Sequence, residues 1–303
     1  RCTAGRQSDR RARLPRPNRP LANLDPLSVG EAAPVAEAIF TRDGDAFVPT
    51  EYAKSPWSPD GLHGGPPAGL LAYAIERAID DPGMQLARLT VDLFRMVPAV
   101  PLRTRVEVVR GGKRVIGVNA ALIADGVEVV RATALLLRRS DAPVGGGVYP
   151  PPAGPEGIAS QPGISRFPLV PPPGAPLERP HLRGFHTSVE TRWVSAPGDQ
   201  PPTTWVRIPM PFIAGEETTH VTRIAALSDF GNALGGLAGV GKNLSYINAD
   251  INLHLFREPI GEWLCVQIDH RDEAEGVGLV ESLWFDERGR FARVTESRLA
   301  NGR

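Results

Sequence analysis

The chain has little that would staple it together or anchor it elsewhere. Two of its 303 residues are cysteine, Cys2 and Cys265, far apart and in unlike contexts. That excludes a disulfide framework and a thiolate metal site, and it points to a reducing compartment. Aromatic residues make up 6% of the sequence. No apolar run approaches the ~20 residues that a membrane helix needs, so no membrane partner is expected. Arg10-Arg11 has no apolar stretch behind it, so it does not read as an export signal, and a cytoplasmic location is expected. Basic and acidic residues balance at 34 each, for a formal net charge of zero, which gives no electrostatic case for a nucleic-acid partner. No His, Cys and carboxylate cluster has ligand spacing, so no metal and no resident cofactor is expected. The Gly-x-Ser-x-Gly elbow of serine hydrolases is missing, and no Ser or Cys has a recognisable base beside it.

What the chain does have is a frame used twice. His63-Gly64-Gly65-Pro66-Pro67-Ala68-Gly69-Leu70-Leu71-Ala72 is echoed by His220-Val221-Thr222-Arg223-Ile224-Ala225-Ala226-Leu227-Ser228-Asp229. His stands first and Leu eighth in both, but the tenth position is Ala72 in one copy and Asp229 in the other. Downstream, each half has a Leu-Phe-Arg run followed by Pro, at Leu93-Phe94-Arg95 with Pro98 and at Leu255-Phe256-Arg257 with Pro259. Self-similarity at a long, nearly fixed offset is what a duplicated unit leaves behind. Alternating segments then predict a three-stranded meander in each half. The first has turns at Gly111-Gly112 and Asp125-Gly126; the second runs over Trp263 to Ile268, Gly276 to Phe285 and Phe291 to Leu299, with a turn around Asp286 to Gly289. The predicted organisation is a disordered Arg/Pro-rich segment over 1–35, a first repeat over 36–140, a Pro/Gly-rich linker over 141–180 and a second repeat over 181–303.

The helix of the first half is defined by its start. Pro66 and Pro67 fall in the first turn, where a missing donor costs nothing, and Leu70, Leu71, Ala74, Ile75, Ala78 and Ile79 follow at helical spacing. The segment is apolar nearly all round, so a curved sheet has to wrap it. The fold class is therefore expected to be α+β, a double hotdog of two repeats, each with a central helix wrapped by a curved antiparallel β-sheet. Here the residues resemble a family. His-Gly-Gly at the helix start, Leu227-Ser228-Asp229-Phe230, Asn248-Ala249-Asp250 and the opening strand Val189-Glu190-Thr191-Arg192-Trp193 are similar to the TesB-like acyl-CoA thioesterases and their thioesterase-like superfamily, over about Phe40 to Leu299.

The resemblance implies hydrolysis of an acyl-CoA or acyl-carrier thioester by direct water attack. Such a site needs a group to orient or activate the water and donors where the oxyanion forms. Asp229 is the expected acid, and the backbone amides of Gly64 or Gly65, at a free helix N-terminus, are the expected oxyanion donors, with His63 beside them. The family completes its site with a Thr and a Gln, which by position fall on Asn248 and Thr295; both are polar, and both depart from the family's pattern. Coenzyme A would enter as part of the substrate. Two other classes stay open: a hotdog enoyl hydratase or dehydratase using Asp229 with His63 or His220, and a non-catalytic acyl-thioester-binding protein. Asp60 with His63 makes a weaker acid and histidine pair. A homodimer or larger even assembly is expected, because relatives of this kind bury sheet surface by pairing.

Overall fold

The computed structural model describes residues 37–56, 58–141, 154–161, 163, 165–166, 184–195, 201–237 and 245–301. The expected disordered segment 1–35 and most of the expected linker lie outside the described residues. The first half contains β1 (Phe40–Asp43), β2 (Ala46–Pro49), α1 (Gly65–Ile79), β3 (Met84–Asp92), β4 (Leu102–Arg110), β5 (Val115–Ala124) and β6 (Val127–Arg138). β7 (Ser165–Arg166) and the short α2 (Phe185–Ser188) precede β8 (Glu190–Trp193), β9 (Thr203–Arg207), α3 (His220–Leu227) and α4 (Phe230–Leu237). The chain ends through β10 (Ser245–Asn248), β11 (Asp250–Leu255), β12 (Leu264–Ala274), β13 (Val277–Asp286) and β14 (Gly289–Asn301).

The strands form one antiparallel sheet in the order β1-β2-β4-β5-β6-β3-β11-β14-β13-β12-β9-β8-β7, with β10 also paired to β14. Outward from the β3–β11 junction, β6-β5-β4-β2-β1 on one side is matched by β14-β13-β12-β9-β8 on the other, with β7 extra at the second end and β10 off the path. At the junction Leu89 faces Leu253 and Val91 faces Ile251, all buried, while Thr90 and Asn252 pair between them. Alternation sets these faces, since successive side chains of a strand point to opposite sides. The Asp125-Gly126 turn forms where the sequence predicts it, and β12 runs on past the expected Ile268 to a turn at Glu275-Gly276. Asp125-Gly126 and Glu275-Gly276 both take positive φ, the twist-compatible geometry of a tight two-residue turn.

Helix α1 carries its prolines in the first turn and is buried from Gly65 through Ile75. It packs on β4, β5 and β6 and along α3, while α4 packs on β12, β13 and β14. The α1–α3 contact is unusually close. A Cβ on Gly65 would stand 2.2 Å from the Ala226 carbonyl oxygen and 2.8 Å from the Phe185 ring.

Three features differ from the sequence expectation. β1, β2, β7 and β9 lie ahead of the helices as short segments whose alternation is too brief to read, beside the expected opening strand β8. The second helix is not continuous: Ser228 turns its hydroxyl back onto the Ala225 carbonyl at 2.7 Å, and the helical run breaks at Ser228-Asp229. Part of the expected linker is packed chain. The Trp205 indole donates to the Glu156 carbonyl at 3.1 Å, Ile158 packs with Trp205 and Phe285, and β7 pairs with β8.

Gly65→Ala is therefore expected to cost about 1–3 kcal/mol by overpacking against backbone that cannot yield. Gly117→Ala is the control, because its new methyl group would meet only ordinary contacts at 3.5 Å or more. Urea midpoints of the two variants check the difference.

Candidate active site

The break between α3 and α4 delivers Asp229 to the first half. Its carboxylate is 6% exposed and lies against Gly64, the residue capping α1, where a Cβ would meet Asp229 Oδ2 at 2.8 Å and Oδ1 at 2.9 Å. Only a glycine admits the acid there. His63 Nδ1 stands 2.6 Å from Asp229 Oδ2, and the Asn248 amide nitrogen donates to Asp229 Oδ1 at 2.5 Å. Four of the residues expected from the sequence, His63, Gly64, Asp229 and Asn248, thus meet at one point, with Gly65 next in the chain.

With Asp229 as the acceptor, the 2.6 Å contact puts the imidazole proton on Nδ1. The Gly65 N–H also points at Nδ1, from 3.3 Å, but that nitrogen is already committed to Asp229. The Gly65 amide thus makes only this long contact at the N-terminus of α1. Its neighbours Pro66 and Pro67 have no amide hydrogen to offer.

Thr295 is a correction. It belongs to the face of β14 opposite the cluster, paired with Asn252 and Glu281. The next residue, Glu296, points inward and is 1% exposed. The Asn248 amide donates to Glu296 Oε1 at 3.0 Å as well as to Asp229, so one amide bridges two carboxyl groups. Burial, and after it the negative charge of Asp229, holds the Glu296 carboxyl well above the usual carboxylate range; the cation of Arg298 and hydrogen bonds from Asn232 and Asn248 oppose the shift. Thr295 came from matching the chain to the family's Gln by position, and the strand places the neighbouring residue, Glu296, on the inner face instead.

His63 is held in a cage of rings. Its ring centroid lies 5.4 Å from Phe185, 5.7 Å from Phe230 and 6.3 Å from His186, the last stacked at 15°. His186 went unnoticed in the sequence. It is 4% exposed, and neither ring nitrogen has a hydrogen-bond partner. Burial, with the nearby His63 second, pushes its imidazole down to about 3. His220 and Asp60 are exposed and stand apart from the cluster; His220 lies 3.4 Å from Arg223. Phe94 and Phe256 lie on the surface, each under an arginine, Arg131 and Arg290. Among the described residues, no group of three or more His, Cys, Asp or Glu side chains is placed to hold a metal ion, and no helix is long and apolar enough to cross a membrane.

The sequence matches the acyl-CoA thioesterase N-terminal domain over residues 53–137 and the acyl-CoA thioesterase C-terminal domain over residues 164–296. No curated protein matches it in sequence. Among solved structures, the tesB protein of Mycobacterium avium subs paratuberculosis superposes with a TM-score of 0.62 at 15% identity, covering 87% of this chain and 96% of that one. A conserved protein of unknown function with a hot dog fold from Alicyclobacillus acidocaldarius gives 0.63 at 18% identity, over 87% and 96%. Acyl-CoA thioesterase II TesB2 of Mycobacterium marinum gives 0.54 at 20%, over 80% and 90%. At such identities the likeness is one of fold: a hotdog-type α+β architecture.

His186 is expected to make the protein acid-sensitive. Its folded pKa, about 3, lies below the ordinary imidazole value of 6.5, so below pH 6.5 the unfolded chain takes up the proton first. The stability tied to its neutral form is present above 6.5 and is lost as the pH falls toward 3. Between pH 7 and pH 4 this loss should be about 3 kcal/mol, and His186→Phe should lack it. Denaturant midpoints of both proteins at the two pH values measure the difference.

Proposed function

The chain belongs to the acyl-CoA thioesterase family, and from that premise we propose that it hydrolyses an acyl-CoA, or a related acyl-carrier thioester, by direct attack of water. The observation that carries this reading is the pairing of Asp229 from the second half with the helix start of the first, His63-Gly64-Gly65. We read the architecture as two hotdog repeats side by side, supported by the mirrored strand order, with one site drawing on both.

In this reading Asp229 holds the water. His63 and Asn248 each occupy one of its oxygens, and each oxygen keeps a further lone pair to accept a water hydrogen. The proton leaves the water for the Asp229–His63 pair as its oxygen bonds to the thioester carbon. The negative charge that forms on the carbonyl oxygen is met by the Gly64 and Gly65 amides at the positive end of α1. Collapse of the tetrahedral intermediate breaks the carbon–sulfur bond, and the stored proton passes to the leaving thiolate, giving free acid and thiol.

The His63–Asp229 contact is also the acid and histidine pair that an enoyl hydratase requires, so that reading is kept as the second one. The family matches favour hydrolysis over it. A cytoplasmic location and a homodimer or larger even assembly remain part of the proposal. The assembly is supported by exposed apolar side chains in register across the outer sheet face, Ile247, Leu299 and Val277.

Asp229→Ala is expected to lower the rate of thiol release from acyl-CoA by about 10²–10⁴-fold, with an unchanged circular dichroism spectrum. Gly64→Ala should also lose turnover while staying folded, since the new methyl group displaces the acid. Unchanged release by Asp229→Ala would overturn the site assignment. Loss of enoyl absorbance without any thiol would favour the hydratase, and an acyl-CoA-induced rise in melting temperature with no chemistry would favour a binding protein.

A further inference from the structure

We propose that Glu296 is a positioning residue for the hydrolysis described above, working as an uncharged carboxylic acid that accepts one hydrogen of the Asn248 amide and so aims the other at Asp229. The inference rests on that reading of the site. Its geometry comes from a single amide shared by two carboxyl groups. Asn248 has two amide hydrogens; one goes to Asp229 Oδ1 at 2.5 Å and one to Glu296 Oε1 at 3.0 Å. Two negative charges across one amide, on side chains buried as these are, repel strongly, and such a pair relaxes by keeping a proton on one member.

The surroundings select Glu296 as the member that keeps the proton. Asp229 has the His63 N–H on its second oxygen, whereas Glu296 Oε2 is buried without a hydrogen-bond partner. The groups that face Glu296 are Asp229 at the α3–α4 break, the Asn232 backbone amide of α4, Asn248 of β10, Ser282 of β13 and Arg298 on its own strand. Arg298 is the single cation among these, and it directs its terminal nitrogens to Glu273 at 2.9 Å and to the Asn232 side chain at 3.2 Å while its guanidinium covers the Tyr246 ring. It attracts Glu296 only through space. Helix α4 closes over the carboxyl at Gly231, where a Cβ would stand 2.6 Å from Oε2. The upward displacement of the Glu296 carboxyl, caused first by burial and then by Asp229, agrees with this assignment.

A carboxyl whose folded pKa is raised stabilises the fold at low pH, and that contribution is lost as the pH rises through the folded value. Ionisation of Glu296 would also set its charge against Asp229 across Asn248, so turnover should decline on the alkaline side through kcat, with little change in KM. Gln has the shape of the neutral acid and keeps the accepting oxygen.

The experiment compares kcat and KM against pH for the wild type, Glu296→Gln and Glu296→Ala, with free thiol read from an acyl-CoA series. Glu296→Gln should stay within about threefold of the wild type at neutral pH and lose the alkaline decline, while Glu296→Ala should lose roughly 10–100-fold in kcat at every pH. An alkaline limb identical in wild type and Glu296→Gln, or a Gln variant as impaired as the Ala variant, would overturn the proposal. Isotope-edited infrared difference spectra of wild type against Glu296→Gln supply a readout independent of turnover. A carboxylic-acid C=O band at neutral pH is expected, and a carboxylate band would overturn the proposal even in a protein that hydrolyses thioesters. A carboxylic-acid band in a wild type that releases no thiol would instead sink the hydrolysis reading, and the positioning role with it.

Discussion

The close approach of α1 and α3 is the constraint on which the site depends. With no side chain at Gly65, the Ala226 carbonyl can sit where a methyl group would otherwise be, so the helix of the second half runs alongside the start of the first. The break at Ser228-Asp229 then comes level with Gly64, and the acid is turned into the junction rather than out to solvent. Desolvating a carboxylate is costly unless charge-assisted hydrogen bonds replace the lost water. His63 and Asn248 supply two such bonds, and the rings of Phe185, Phe230 and His186 fix the imidazole that makes one of them. Packing between backbones therefore comes first, and the placement of polar groups follows from it.

Most of the frame was legible in the sequence because it follows local rules. Period-two alternation announced the meanders, Asp125-Gly126 announced its hairpin, and prolines followed by an apolar run announced α1. The echo of His63 in His220 was only partly informative. The capping residue of α1 is Gly64 and that of α3 is Thr219, so His63 lies ahead of its helix, facing the acid, while His220 begins its helix and faces outward. A shared letter at a shared position does not guarantee a shared direction. Glu296 was missed because a match to the family by position was one residue off, and on a strand one residue moves a side chain to the other face. His186 gave no signal, since nothing in its neighbourhood of sequence says that it will be stacked beneath another histidine.

On β14, polar groups break the pattern of the inner sheet face. On β14 the inward series runs Ala292, Val294, Glu296, Arg298, and the last two would be Val or Leu in a strand designed only for stability. They join a chain of contacts that starts at Glu273 near the surface, passes through Arg298, Asn232, Glu296 and Asn248, and ends at Asp229 and His63. Buried networks of this kind are costly wherever a member is left unpaired, and several atoms here are, among them Asn248 Oδ1 and Glu296 Oε2. Departures from local rules concentrate at functional sites, and this inner face departs from them where the acid sits.

The pairing of β3 with β11 has a consequence for how the chain can be handled by a cell. Each strand is completed by the other half. If either half were made alone, it would present a bare edge, nine residues of β3 or six of β11, with Leu89 and Val91 or Ile251 and Leu253 beside it. Such an unguarded ladder is a template for the next chain and a route to aggregation. Although the two halves look like copies of one unit, neither is fit to be released from synthesis without the other, and the nascent first half has to be shielded until the second arrives.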